Sequence, residues 1–222
     1  MAIEIMLERR TITLSNDEAA LAKAATTRHA LRLQFQTQLT SRQIPYQDAG
    51  KLLLHEARLQ ACVTEFAHQL VYNPLADLRY FFALQTGIFL EPGYPPLYYA
   101  SRKAMSPSAL ANKSAVAAVA EGIAGLLVGE LFQLRKWATG YHDYPDLVMG
   151  NATAVYLVEA KGTTREVDDL RQVLDDELYR MAAYASACND LDRSRPSIGV
   201  VVGTALLSES RYHVLFNEVV PL

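Results

Sequence analysis

The sequence predicts an α/β (α+β) fold: a small mixed sheet flanked by helices, with a mainly helical region at the N-terminus. Three patterns carry this expectation. Apolar residues alternate at the start of the chain, helical periodicity then runs to about residue 85, and from residue 114 the order becomes helix, hairpin, helix, strand, strand. Helices and strands in that order bury their apolar faces by layering helices on a sheet. The composition agrees. Half of the 222 residues are hydrophobic and 20% are charged, which is enough apolar surface for a core and excludes disorder as the main state. The 11 Gly and 9 Pro show no period, so fibrous classes are excluded.

Residues 2–14 place Ile3, Ile5, Leu7, Ile12 and Leu14 in imperfect alternation and read as one or two short strands. Ser15 and Glu18 form a capping-box signature for a helix over 16–38. A second helix is expected over 46–71, with Leu52, Leu53, Leu59, Val63, Phe66 and Leu70 at helical spacing. A third starts at Pro74 and runs through Gln85, ended by Gly87. Arg28, Arg32, Arg42, Arg58 and Arg79 lie among these helices, either as solvated surface or as a face for nucleic acid. Residues 87–112 are rich in Pro, Gly, Tyr and Ser and read as a loop. This loop divides the chain into an N-terminal helical region, 1–110, and a C-terminal α/β core, 111–222.

Residues 114–133 read as an apolar helix rich in Ala and Gly. Glu121, Glu130 and three glycines interrupt it, so no membrane span is expected. No signal peptide is visible, which points to the cytoplasm. Cys62 and Cys188 are far apart in sequence and are expected as free thiols in a reducing compartment. A hairpin follows over 146–149 and 154–161, turning at Gly150-Asn151, then an amphipathic helix over 166–187 and strands over 197–202 and 212–220. The net charge is −3 and unevenly spread. The first 110 residues carry 11 basic against 9 acidic side chains, the remainder 10 against 15. An acidic second half is either solvated surface or a site that gathers a divalent cation.

The hairpin is where chemistry concentrates. Strand side chains alternate faces, so Glu159 and Lys161 point the same way as Leu157. A turn about 150–153 sets Asp146 opposite residue 157 or 159, on that same face. Two carboxylates and an ammonium then meet at the end of an apolar hairpin. Two neighbouring buried carboxylates repel and are costly to desolvate. A divalent cation with hard oxygen ligands removes both difficulties, and Mg²⁺ takes such carboxylates together with substrate phosphate.

Pro145-Asp146, a gap, then Glu159-Ala160-Lys161 resembles the PD-(D/E)xK nuclease superfamily, the restriction-endonuclease-like fold. That family's core is a helix, a three-stranded antiparallel sheet, a helix and a further strand. The order read from about 112 to 205 is similar, with 135–142 as the first strand. The resemblance implies a nuclease that uses Mg²⁺ (or Mn²⁺) to hydrolyse phosphodiester bonds of nucleic acid, DNA first, as an endonuclease. Asp146 and Glu159 would bind metal and Lys161 would be the catalytic lysine. The family often adds a glutamate from the first helix. Glu121 and Glu130 are the candidates, nine residues apart and so on opposite helix faces. Glu121 is favoured because it sits among small apolar residues and needs a partner. The N-terminal helices would then supply substrate grip or the contacts of a homodimer.

Gln172 and Arg171 are weaker candidates on the next helix. Thr163 and Thr164 either contact phosphate or cap that helix, and His142 is either a base or a satisfied histidine. Asp143 is a rival to Asp146, which wins by adjoining the apolar strand. Two other classes of function remain: a nucleic-acid- or protein-binding module that keeps the fold without turnover, and a helical interaction protein whose second half is structural. The latter predicts Glu121 exposed and Asp146 distant from Glu159.

Overall fold

A computed structural model describes residues 1–42, 44–68, 71–85, 112–140, 144–191 and 194–222. In chain order the elements are β1 (Ala2–Leu14), α1 (Asn16–Ala25), α2 (His29–Ser41), β2 (Gln47–His55), α3 (Glu56–Phe66), α4 (Pro74–Gln85), α5 (Lys113–Phe132), β3 (Arg135–Thr139), β4 (Leu147–Gly150), β5 (Val155–Thr163), α6 (Val167–Leu191), β6 (Ser197–Leu206) and β7 (Arg211–Pro221). The strands form one mixed sheet in the order β2-β1-β7-β6-β5-β4-β3. β1 runs parallel to β7 and β5 parallel to β6, and the other neighbours are antiparallel. One face carries α3, α4 and α5 over a core that includes Ile5, Leu59, Phe81, Ile123 and Phe216. The other carries α1, α2 and α6 over Phe35, Leu170, Leu174, Leu178 and Met181. The fold is therefore a mixed α/β sheet flanked by helices, the class the sequence predicts, with seven strands in place of a small sheet and helices on both of its faces.

The imperfect alternation of β1 has a physical cause. Ile3, Ile5 and Leu7 face the first core, while Ile12 and Leu14 face the second. Odd and even positions of one strand point to opposite faces, so a single strand serves one layer with its first half and the other with its second. Between them Arg9 lies over the rings of Phe132 and Phe216 and pairs with Glu218. Arg10 turns the other way, lies over Tyr46 and bonds Asn217 and Asp175.

Two expectations in the N-terminal region are corrected. The helix expected over 46–71 begins only at Glu56, because 47–55 is the edge strand β2, paired antiparallel with β1. Leu54 is buried there but Leu53 is 72% exposed, the alternation of a strand. Consecutive leucines satisfy either period locally, and the unpaired edge of β1 decides between them. The helix expected over 16–38 breaks into α1 and α2. At the break the hydroxyls of Thr26 and Thr27 donate to the carbonyls of Lys23 and Ala24, a local alternative to helical pairing. The capping box of Ser15 and Glu18 is present. β1 and β2 belong to the same sheet as the C-terminal strands, so the sheet crosses the boundary expected near residue 110.

α5 is long and apolar enough to cross a bilayer by length and composition. It is the core helix here, with most of it buried inside the protein. Cys62 and Cys188 are free and lie on opposite faces of the sheet. The loop expected at 87–112 lies outside the described residues up to 111.

Candidate active site

The hairpin of β4 and β5 pairs Leu147 with Val158 and Gly150 with Val155. The next step of this register sets Asp146 across from Glu159, one of the two registers the sequence allows. Tyr156 and Val158 face the core under α5, and Leu157 faces the core under α6. Glu159 and Lys161 follow Leu157 in parity and so turn toward α6. Gly162 faces α5, where an added Cβ would lie 2.8 Å from Val116. The missing side chain lets α5 pack close to the end of β5, and α5 is the helix that carries Glu121.

Each carboxylate commits one oxygen to the protein. Oδ2 of Asp146 accepts the Ala160 N–H at 2.7 Å. Oε1 of Glu159 accepts from Lys161 Nζ at 2.6 Å. Oε2 of Glu121 accepts the backbone N–H of His68. The second oxygen of each has no hydrogen-bond partner among the described residues, and Oε2 of Glu159 is fully buried in that condition. Glu159 is 1% exposed and Glu121 6%. Unpaired buried carboxylate oxygens are costly.

The electrostatics follow from this crowding. Burial, then the charge of Asp146, pushes the Glu159 carboxyl up to about 7 against the opposing hydrogen bond from Lys161. Burial raises Asp146, opposed by the Ala160 N–H and by Lys161. Burial also raises Glu121, opposed by the His68 N–H, with the charge of Asp146 adding to the rise. For Lys161, burial works to lower the ammonium, but Glu159, Glu177 and Asp146 outweigh it and hold it above its ordinary value. The lysine therefore stays protonated.

Glu121 is buried and its carboxyl feels the charge of Asp146, whereas Glu130 sits on the surface in an ion pair with Arg58. This is contrary to what a purely structural second half predicts, namely an exposed Glu121 and an Asp146 far from Glu159. Gln172 is exposed, and Arg171 pairs with Glu8, so neither weaker candidate reaches the hairpin. Thr163 accepts the Arg165 N–H and serves the turn into α6. His142 and Asp143 lie outside the described residues. Of the N-terminal arginines, Arg42, Arg58 and Arg79 are paired with glutamates, and Arg32 lies over Tyr179.

Sequence reasoning missed the contribution of α6. Glu177 stands 3.4 Å from Lys161 Nζ, and Arg180 stands 3.9 Å from its other oxygen. Arg180 also lies over the ring of Tyr144, which packs on Tyr184. The Tyr144 hydroxyl is buried without a hydrogen-bond partner among the described residues. A signal for Glu177 existed. It falls three residues after Leu174 and seven after Leu170, at positions that share the apolar stripe of a helix.

A divalent cation fits these donors in kind, since they are hard carboxylate oxygens with one oxygen each left open. The described residues do not include a group of three His, Cys, Asp or Glu side chains already drawn together around one metal position. No family model, no curated protein and no solved structure matches this chain.

Proposed function

We propose that this chain is a metal-dependent nuclease that hydrolyses phosphodiester bonds of DNA, an endonuclease using Mg²⁺ or Mn²⁺. One observation carries the reading. Glu159 is 1% exposed, shares one oxygen with Lys161, leaves the other buried without a partner, and faces Asp146 across the hairpin. A buried open oxygen beside a second carboxylate is a place where a cation would offset both the desolvation and the repulsion. The order α5, β3, β4, β5, α6, β6 supports the resemblance to the PD-(D/E)xK core.

In this reading the open oxygens of Asp146 and Glu159 hold the cation, with Glu121 as the third carboxylate. A bound divalent cation would neutralise the phosphate and lower the pKa of an attacking water. Lys161 keeps its proton, so it acts as a charged hydrogen-bond donor to the attacked phosphate rather than as a base. The backbone N–H of Ala160 and that of His68 fix the orientation of Asp146 and Glu121, which keeps the open oxygens directed without reorganisation during the reaction.

The test is cleavage of supercoiled plasmid and linear DNA with Mg²⁺ or Mn²⁺ by the wild type, Glu159→Gln and Lys161→Ala. Metal-dependent cutting by the wild type and its loss in both variants is the expected result. A second reading, a binding module without turnover, is favoured by the lack of a ready three-ligand group among the described residues. Equal DNA binding by all three proteins with no cutting would establish that reading instead.

A further inference from the structure

We propose that Glu177 is a positioning residue for Lys161. It anchors the ammonium beside α6 and so keeps the open oxygen of Glu159 available to a cation. The inference rests on the nuclease reading and adds a residue to it. Lys161 Nζ lies 2.6 Å from Oε1 of Glu159 and 3.4 Å from Oε1 of Glu177, while Oε2 of Glu159 is buried without a partner. A lysine ammonium is a compact charge on a flexible four-carbon stem with three donors. Asp146 and Glu159 face each other across the hairpin, and an unanchored ammonium would settle between them, where it would compete with a divalent cation. Glu177 supplies a third carboxylate on the other side. Arg180 stands 3.9 Å from Oε2 of Glu177, a charge pair without a hydrogen bond, and that oxygen is buried with no hydrogen-bond partner among the described residues; the Arg180 guanidinium itself lies 4.1 Å over the ring of Tyr144.

Glu177 could also favour a cation simply by adding negative charge, and a double-mutant cycle separates the two effects. The measurement is Mn²⁺ binding to the full chain without nucleic acid, by titration calorimetry. The proteins are the wild type, Glu177→Gln, Lys161→Met and the double variant, with circular dichroism to check folding. Glu177→Gln should weaken Mn²⁺ binding on the order of tenfold, the scale of one charge-assisted contact. In the Lys161→Met background the same change should cost nothing. Arg180→Ala, which removes the charge paired with Glu177, should weaken binding in the same direction and likewise only when Lys161 is present. It decides the question if Glu177→Gln does not fold. An equal loss in both backgrounds, or no loss in either, would overturn the positioning role and leave the nuclease reading standing. A wild type that binds no Mn²⁺ would remove both.

Discussion

Replacing Glu159 with glutamine keeps the shape of the side chain and removes its titration. The consequence can be worked from the site. Glu159 is 1% exposed, and burial followed by the charge of Asp146 raises its carboxyl from 4.5 to about 7. The pKa is raised in the fold, so the folded protein holds a proton that the unfolded chain releases above about pH 4.5. Stability therefore falls as pH climbs from about 4.5 to about 7 and then levels. The span amounts to roughly 3 kcal/mol. Asp146 and Glu121 titrate in both proteins and cancel to first order. The variant should thus gain on the wild type by roughly 3 kcal/mol between about pH 4.5 and about pH 8. For a chain of this length that is a Tm difference growing by about 6–12 °C. Thermal unfolding followed by circular dichroism, in the presence of a chelator, measures it. Parallel Tm profiles across this pH range would refute the argument. So would a wild type that gains on the variant as pH rises.

Two further outcomes test the geometry. Glu121→Gln should reduce plasmid cleavage on the order of tenfold or more. Glu130→Gln removes only an exposed pair with Arg58 and should leave cleavage within about twofold. The reverse pattern would assign the first-helix carboxylate to Glu130. Gly125→Ala would place a Cβ 2.2 Å from the ring of Phe66. The helix gains roughly 1 kcal/mol from alanine, while the overlap costs about 1–3 kcal/mol. A lower urea midpoint is expected, and a higher one would show that Phe66 gives way without cost.

The candidate site was legible to different depths. Asp146, Glu159 and Lys161 could be placed on one face because strand parity is a local property, and the turn at Gly150-Asn151 allowed only two registers of the same parity. Pairing of Leu147 with Val158 selects the one that sets Asp146 across from Glu159. Glu121 could be preferred to Glu130 because nine residues put them on opposite sides of a helix, and only Glu121 has small apolar neighbours. The helical stripe of Leu170 and Leu174 places Glu177 on the buried side of α6, but that it meets Lys161 depends on α6 packing over β5, a contact between segments that no local pattern encodes. The same holds for β2, whose leucines fit either period until β1 offers it an edge.

The sequence by itself determined the element order from residue 113 onward, the capping of α1, the alternation along β1 and the shared face of Glu159 and Lys161. These follow from side-chain period and backbone chemistry acting over a few residues. Only the tertiary structure decided that β1 lies parallel to β7 inside one seven-stranded sheet. It alone also brought Glu177 to Lys161 and set the Glu121 carboxylate in the field of Asp146. Those relations join residues distant in the chain. They arise because burying both faces of the sheet brings charged groups from α5, α6 and the β4–β5 hairpin close to one another at the hairpin end.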